Sequence, residues 1–285
     1  MLHIRRLKSS DLGFAMQLVE IAGWNQLPAD WSRLLHVDPE GCFLAQWNGQ
    51  PAGTATAIAY GTDCAWIGMV LVHPDYRGQG IGGGLIGHCL DHLKSLGVRV
   101  IKLDATDQGR PVYVKEGFVD EYGTLRYLGQ PRLQDLRTSR YRIEPVAPCC
   151  GQTLEAMDEE AFGANRSALL RAMAEAQPDL SLIAIERGGE VVGYGFARPG
   201  RLHGYIGPVV AQRMDVAQAL VAELSRRLSQ KTVLIDTTAL NPTWRAWLEA
   251  SGFQLQRRLM RMYRGTNDSP GDTSLAYALS AFETG

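Results

Sequence analysis

The chain has 285 residues, of which 45% are hydrophobic and 21% charged, and its formal net charge at pH 7 is −1. This composition is that of an ordinary globular protein with one large domain or two smaller ones. The balanced charge predicts no nucleic-acid partner, and the lack of a long apolar run predicts no membrane span. The amino terminus carries charge without an apolar segment behind it, and the five cysteines are scattered, so we expect a reduced, cytoplasmic protein.

The first half opens with elements that alternate between strand and helix. Residues 4–7 predict a short strand, and the segment from Ser10 to Ala22 predicts a helix that Gly23 ends. Residues 43–53 predict a hairpin, because two apolar runs flank a glycine turn. This order of elements is typical of an α+β domain.

A glycine-rich turn between a strand and a helix follows this hairpin. The apolar run from Trp66 to Val72 predicts a buried strand, which Pro74 ends because proline has no N–H to donate. Apolar residues at three- and four-residue steps between 81 and 96 predict an amphipathic helix. The glycines of residues 78–84 lie at the start of that helix, where free N–H groups and the helix dipole attract anions. The turn therefore predicts a pyrophosphate site.

Two kinds of cofactor site fit this turn. Gly78-x-Gly80-x-x-Gly83 matches a dinucleotide fingerprint, and Asp104 ends the next apolar run at about the distance, roughly 20 residues, that such a fold requires. A dinucleotide fold usually begins with this unit, however, whereas residues 1–65 precede it here.

The fuller pattern Arg77-x-x-Gly80-x-Gly82 resembles the acyl-CoA signature of the GNAT superfamily of N-acetyltransferases. The segment from Tyr113 to Gly117-Phe118 resembles the second landmark of that family, a tyrosine four residues before Gly-Phe. The two motifs together favour the acyl-CoA site over the dinucleotide site.

The second half repeats the order of the first with a period of roughly 135 to 140 residues. Four segments of the first half match segments of the second: 43–53 with 182–193, 66–70 with 205–209, 101–106 with 234–238, and 117–118 with 252–253. The resemblance is therefore to tandem GNAT proteins of mixed α/β (α+β) class. It implies two domains, 1–138 and 139–285, each a splayed mixed β-sheet flanked by helices, with acyl-CoA held where the fourth and fifth strands diverge.

The second half departs from the cofactor motif. Asp215 stands where the turn needs a glycine, and it places a negative charge where a phosphate would lie. Leu248 stands in the position of the tyrosine. We therefore expect the second domain to be non-catalytic and to serve as a scaffold or as a wall of the acceptor pocket.

The resemblance implies roles for residues of the first half. Tyr113 is the candidate general acid, and Asp104 is a candidate general base whose alternative interpretation is a hydrogen-bonded carboxylate at a strand end; His73 is another possible base. The residues expected to hold acetyl-CoA are Val70, Leu71, Val72, Arg77, Gly78, Gln79, Gly80, Ile81, Gly82 and Gly83. The residues expected to line the acceptor pocket are Trp24, Asn25, Gln26 and Trp66.

The expected activity is transfer of an acetyl group from acetyl-CoA to a primary amine of a small molecule, such as an amino acid, polyamine or amino sugar, by direct attack. A non-catalytic acyl-CoA-binding module, a protein-lysine or N-terminal acetyltransferase, and a dinucleotide-binding oxidoreductase are the alternatives. No metal is predicted, because His88 and His92 lack a third ligand at a suitable spacing. The expected protein is a cytoplasmic monomer or homodimer.

Overall fold

The computed structural model describes residues 1–131, 140–147, 151–268 and 270–285. The predicted domain boundary at residues 138 and 139 lies outside the described residues. The strands are β1 Leu2–Arg6, β2 Cys42–Trp47, β3 Gln50–Tyr60, β4 Cys64–Val72, β5 Val100–Ala105, β6 Val119–Gly129, β7 Tyr141–Pro145, β8 Ser181–Glu186, β9 Val191–Arg198, β10 Gly204–Ala211, β11 Val233–Thr238, β12 Phe253–Gly265 and β13 Ala276–Ala278. The helices are α1 Leu12–Ile21, α2 Pro28–Val37, α3 Ile81–Ser95, α4 Arg110–Lys115, α5 Gly151–Phe162, α6 Ser167–Ala176, α7 Met214–Arg227 and α8 Pro242–Ala250.

Strand exchange joins the two halves in one sheet. The described residues form a 13-stranded mixed sheet in the order β1-β2-β3-β4-β5-β12-β6-β11-β10-β9-β8-β7, with β13 paired to β10. The second half's β12 therefore lies between β5 and β6 of the first half, and β6 lies between β12 and β11. Each half completes the other's sheet, and helices cover both faces of it, as the predicted class requires.

The predicted divergence of the fourth and fifth strands is present in the first half. Strands β4 and β5 pair in parallel only from Cys64 to Trp66, and beyond that point they separate. A β-bulge lies at the same place, because Thr54 pairs with Leu71 whereas Thr56 pairs with Gly68, so that two residues of β4 oppose one of β3. The edge of β4 from residue 67 to 72 is thus left facing the gap.

The equivalent gap in the second half is filled by the chain itself. Strands β10 and β11 pair in parallel only at residues 204–206 and 233–235. Beyond them β13 pairs antiparallel with Val209 and Val210, and the N–H of Leu279 donates to the carbonyl of Asp236 in β11 at 2.8 Å. The space in which a ligand would lie between these strands is therefore taken by backbone.

Residues 276–285, which we term the C-terminal segment, begin with β13 and then run into the first half. The indole N–H of Trp66 donates to the carbonyl of Phe282 at 2.9 Å, and the hydroxyl of Tyr60 donates to the carbonyl of Thr284 at 2.9 Å. Arg166 donates to the carbonyl of Gly285 at 2.7 Å. The segment is therefore anchored to both halves.

Two buried ion pairs join the exchanged strands to their neighbours. Arg261 of β12 contacts Asp104 of β5 at 2.9 Å, and Arg126 of β6 contacts Asp236 of β11 at 2.7 Å; both carboxylates have 0% of their side-chain surface exposed. Burial alone would lower the pKa of Arg261, but the Asp104 carboxylate outweighs it and the pKa is raised. Both arginines therefore carry a charge that the facing carboxylate compensates.

Within the described ranges, no helix combines the length and apolarity needed to cross a membrane. The described residues also contain no group of three or more His, Cys, Asp or Glu side chains placed to hold a metal ion.

We predict that Arg261→Met lowers the free energy of unfolding by about 3–5 kcal/mol, because it leaves the buried Asp104 carboxylate without its partner. The measurement is chemical denaturation followed by fluorescence. The control is Arg264→Met, which removes an exposed arginine of the same strand and should change stability by less than about 0.5 kcal/mol. Equal losses in the two variants would contradict the argument.

Candidate active site

A cavity of about 410 Å³ opens where β4 diverges from β5. Its first-half wall includes residues 67–72 of β4, the start of α3 and the face of α4. Its second-half wall is formed by Arg257 and Leu259 of β12 and by Phe282 and Glu283 of the C-terminal segment. Both halves therefore enclose one site.

The cavity-facing edge of β4 includes three of the residues predicted to hold acetyl-CoA. Val70, Leu71 and Val72 all line the cavity, and the pairing of β4 with β5 has already ended at Trp66. The bulge next to them places Met69 at φ +50°, with its carbonyl accepting from the hydroxyl of Thr54 at 2.9 Å. The unpaired edge of β4 therefore offers backbone N–H and C=O groups that an extended ligand with amide groups could hydrogen-bond.

The glycine turn leaves open space at the start of α3. Gly78 and Gly80 both have φ +77°, a conformation that favours glycine. A Cβ built on Gly78, Gly80 or Gly83 would meet no atom within 4 Å. Free N–H groups at a helix start bind anions well, and these features fit a pyrophosphate group.

The other predicted residues of the turn have different positions. Arg77 lines the cavity and donates from Nε to the carbonyl of Val72 at 3.2 Å, so it fixes the turn. Gly82 also lines the cavity. Gln79 is exposed, whereas the Ile81 side chain is buried in the core, so that only its backbone faces the turn.

Tyr113 lines the same cavity from α4, and its ring packs edge-on against Phe118 with centroids 6.0 Å apart. Burial raises the pKa of Tyr113 to about 12. The hydroxyl therefore keeps its proton at neutral pH, as a proton donor must.

Asp104 also borders the cavity, but both oxygens of its carboxylate are hydrogen-bonded. Oδ1 accepts from the Thr124 hydroxyl at 2.9 Å and from Arg261 Nε at 3.2 Å, while Oδ2 accepts from Arg261 Nη2 at 2.9 Å. Because hydrogen bonds to the charged form stabilise it, this geometry favours the alternative interpretation of a structural carboxylate at a strand end. His73, the other possible base, accepts from the N–H of Asp75 at 3.4 Å and caps a short turn.

The four residues predicted for the acceptor pocket divide into two pairs. Trp24 and Gln26 line the cavity. Asn25 instead joins the two halves, because its amide donates to the carbonyl of His203 at 2.9 Å and accepts from the N–H of Leu202 at 2.9 Å. Trp66 is fully buried in the core and is not among the described residues that line this cavity.

The sequence offered the second domain as a possible wall of the acceptor pocket but did not identify the second-half residues that line the cavity. Glu283 is only 6% exposed; its Oε2 accepts from Gln26 Nε2 at 3.1 Å, and its Oε1 lies 3.5 Å from Arg198 Nη2. Burial raises the pKa of Glu283 despite the neighbouring arginines. The adjacent Phe282 ring lies under the guanidinium of Arg126, 4.6 Å from its centre.

Comparison with known proteins agrees with this architecture. A family model described as "Acetyltransferase (GNAT) family" matches residues 14–118, and one described as "Acetyltransferase (GNAT) domain" matches residues 154–278. The chain is 27% identical over 264 residues to a holothin acyltransferase of Pseudoalteromonas sp. (strain SANK 73390), covering 92% of this chain and 87% of that protein. It is 28% identical over 164 residues to YitH, an uncharacterized N-acetyltransferase of Bacillus subtilis (strain 168), covering 56% of this chain and 55% of that protein.

Solved structures share the fold over the whole chain. A putative acetyltransferase from Pyrococcus horikoshii superposes with a TM-score of 0.85 at 24% identity, covering 100% of this chain and 96% of that one. A tandem GNAT protein from the clavulanic acid biosynthesis pathway superposes with a TM-score of 0.66 at 15% identity, covering 93% and 98%. The solved structures agree in fold, and the two family matches and the named acyltransferase relatives show that the chain is an acyltransferase enzyme that belongs to the GNAT family and carries two GNAT domains in tandem.

Proposed function

We propose that the protein transfers an acetyl group from acetyl-CoA to the primary amine of a small molecule, at the single cleft of its first half. The observation that carries this proposal is that the free edge of β4, Arg77 and Gly82 at the start of α3, and Tyr113 all border one cavity. Acetyl-CoA supplies an activated thioester. The chain supplies a place to hold it, a proton donor and an enclosed acceptor pocket.

The cofactor end of the cleft has the features that a CoA ester needs. The backbone of residues 70–72 can bind the pantetheine arm as an extended chain binds a strand edge. The turn at 78–83 can bind the pyrophosphate through free N–H groups. Arg77 supports that turn from the Val72 carbonyl.

Tyr113 is suited to give its proton to the departing thiolate. Its pKa of about 12 keeps it protonated, and the cavity gives it direct access to the reacting group. A positioned general acid contributes about 10²- to 10⁴-fold to a rate.

The acceptor end of the cleft supports a small substrate. Trp24, Gln26, Phe282 and Glu283 line this part of the cavity, and Gln26 donates a hydrogen bond to Glu283 at 3.1 Å. The whole cavity, including the edge of β4, has a volume of about 410 Å³, so only part of it is left for the acceptor, which favours a small molecule. We propose an amino acid, a polyamine or an amino sugar as the acceptor class.

We further propose that the second half binds no acyl-CoA. Asp215 lies in the first turn of α7, and its carboxylate accepts a hydrogen bond from the Tyr141 hydroxyl and lies 3.5 Å from Arg213. The insertion of β13 between β10 and β11 also removes the gap that a pantetheine arm would need. A cytoplasmic location and a monomeric or homodimeric state stay predictions from the sequence.

The activity is tested by incubating the full-length protein with acetyl-CoA and glycine, lysine, putrescine or glucosamine. We expect at least one amine to accelerate release of the free CoA thiol and to gain one acetyl group by mass spectrometry. Tight acetyl-CoA binding with no amine-dependent thiol release would instead support a binding module. Propionyl-CoA in a parallel assay tests whether the pocket selects the acetyl group.

We predict that titration calorimetry gives one acetyl-CoA per chain and that Gly82→Asp weakens binding at least about 10-fold. A Cβ at Gly82 meets only Val72, at 3.9 Å, so the loss would come from charge repulsion at the phosphate site rather than from packing. Gly87→Asp is the control, since it adds the same charge to open space later in α3. Asp215→Gly should leave one site per chain, and a second site in that variant would contradict the occlusion by β13.

We predict that Tyr113→Phe lowers kcat by about 10²-fold or more and changes the affinity for acetyl-CoA by less than about 2-fold. The physical reason is loss of the proton donor without loss of the ring contact to Phe118. Steady-state kinetics and calorimetry provide the two measurements. Tyr263→Phe, in β12 and outside the described lining of the cavity, is the control; equal activity of the two variants would remove Tyr113 from the mechanism.

A further inference from the structure

We infer that Glu283, carried into the first-half site by the C-terminal segment, is the general base that accepts a proton from the acceptor amine. The inference rests on the proposed function. It assigns the general base to a residue of the second half. It also gives the second half a direct chemical role in the reaction.

The position of Glu283 is fixed by close backbone packing against β4. A Cβ built on Gly68 would lie 2.8 Å from both the Cα and the carbonyl oxygen of Glu283, so only glycine allows the segment to approach this closely. Gly68 directly precedes the bulge residue Met69, and both line the cavity. Glu283 therefore lies beside the point at which β4 and β5 diverge.

Neighbouring side chains hold the carboxylate of Glu283 without saturating it. Oε2 accepts a hydrogen bond from Gln26, Oε1 has a longer 3.5 Å contact with Arg198, and the backbone N–H of Glu283 itself also favours the ionised carboxylate. A carboxylate offers about four lone-pair positions, so acceptor capacity remains. Asp104, the other carboxylate on the described lining of the cavity, has two oxygens bound by Arg261 and Thr124.

Charged groups from several elements face this site. Arg198 of β9 and Arg126 of β6 favour the ionised form of Glu283, whereas Asp30 of α2 opposes it. Asp30 is itself paired, at 2.6 Å with Arg33 and at 3.4 Å with Arg198.

Two tyrosines also interact electrostatically with Glu283. Tyr60 lies on β3 and Tyr205 on β10, and burial raises the pKa of both, so they stay neutral at ordinary pH. Burial affects the pKa of Glu283 more than any of these groups does, and it raises that pKa above the usual value for a glutamate. A base with a raised pKa accepts a proton more readily near neutral pH.

The proton balance of the reaction is complete with the residues present. The bound ammonium gives one proton to the Glu283 carboxylate, and the neutral amine then forms the new C–N bond at the thioester carbon. As the C–S bond breaks, the electron pair leaves on sulfur, which takes a proton from Tyr113. The nitrogen then loses its remaining extra proton, which passes through solvent to the Tyr113 phenolate. Glu283 releases its own proton to solvent.

Glu283→Gln tests this inference, because it keeps the size of the side chain and a partner for Gln26. We expect kcat to fall at least about 10²-fold, with acetyl-CoA affinity within about 2-fold of wild type. In the wild type, kcat should fall as the pH drops through the raised pKa of Glu283, and this acidic limb should be absent from the variant. Glu190→Gln, at an exposed turn of the second half, is the matched control and should keep the wild-type rate and limb.

Infrared difference titration gives a readout that does not depend on turnover. The wild type should show a buried carboxyl group that protonates above the usual range of glutamates, and this band should be missing from Glu283→Gln. Glu283→Asp, which retains the acid, should keep the titrating band and shift the acidic limb, and it serves as the second variant if Glu283→Gln fails to fold.

Two results would overturn the inference: a Glu283→Gln enzyme that keeps half or more of the wild-type kcat, or an acidic limb that persists in that variant. Failure of the wild type to release CoA with glycine, lysine, putrescine and glucosamine would count against the proposed function instead. In that case the infrared titration still decides about Glu283, because absence of the raised band overturns its assignment as a base.

Discussion

The reciprocal pairing of β6 and β12 is the constraint on which the rest of the structure depends. Each of these strands lies between two strands of the other half, and the buried pairs Arg261–Asp104 and Arg126–Asp236 attach β12 to β5 and β6 to β11. This pairing brings Arg257 and Leu259 to the first-half cleft and holds the second half against its acceptor side. Without the exchange, the cavity would keep the edge of β4 but lose Arg257 and Leu259 from its lining.

The two halves contain the same strand divergence and use it differently. In the first half, the edge of β4 beyond Trp66 is open to a cavity. In the second half, β13 pairs with the equivalent edge of β10 and occupies the gap with backbone. One C-terminal segment then continues to the open gap and contributes Glu283 to its wall. The same stretch of chain therefore fills the gap of the second half and lines the cavity of the first.

Local sequence patterns located residues that line the cavity along β4, α3 and α4, and they were insufficient for the residues that the second half contributes. The glycine turn and Tyr113 are recognisable because their spacing is short and set by one strand, one turn and one helix. Trp24 and Gln26 followed from the same resemblance. Glu283 has no such signal, because only contacts between distant residues bring it beside Gly68. Asn25 and Trp66 were predicted to face the acceptor, but their polar atoms bind backbone of the second half, which no local pattern reveals.

The strand exchange also has a consequence for how the chain is made. The sheet of the first half lacks its neighbour for β5 until residues 253–265 are available, and these are synthesised only after β6 to β11. Domains often fold as they emerge during synthesis, but here the first half has an incomplete sheet while the second half is being synthesised. Removal of either half would therefore leave strands of the other without their sheet neighbours.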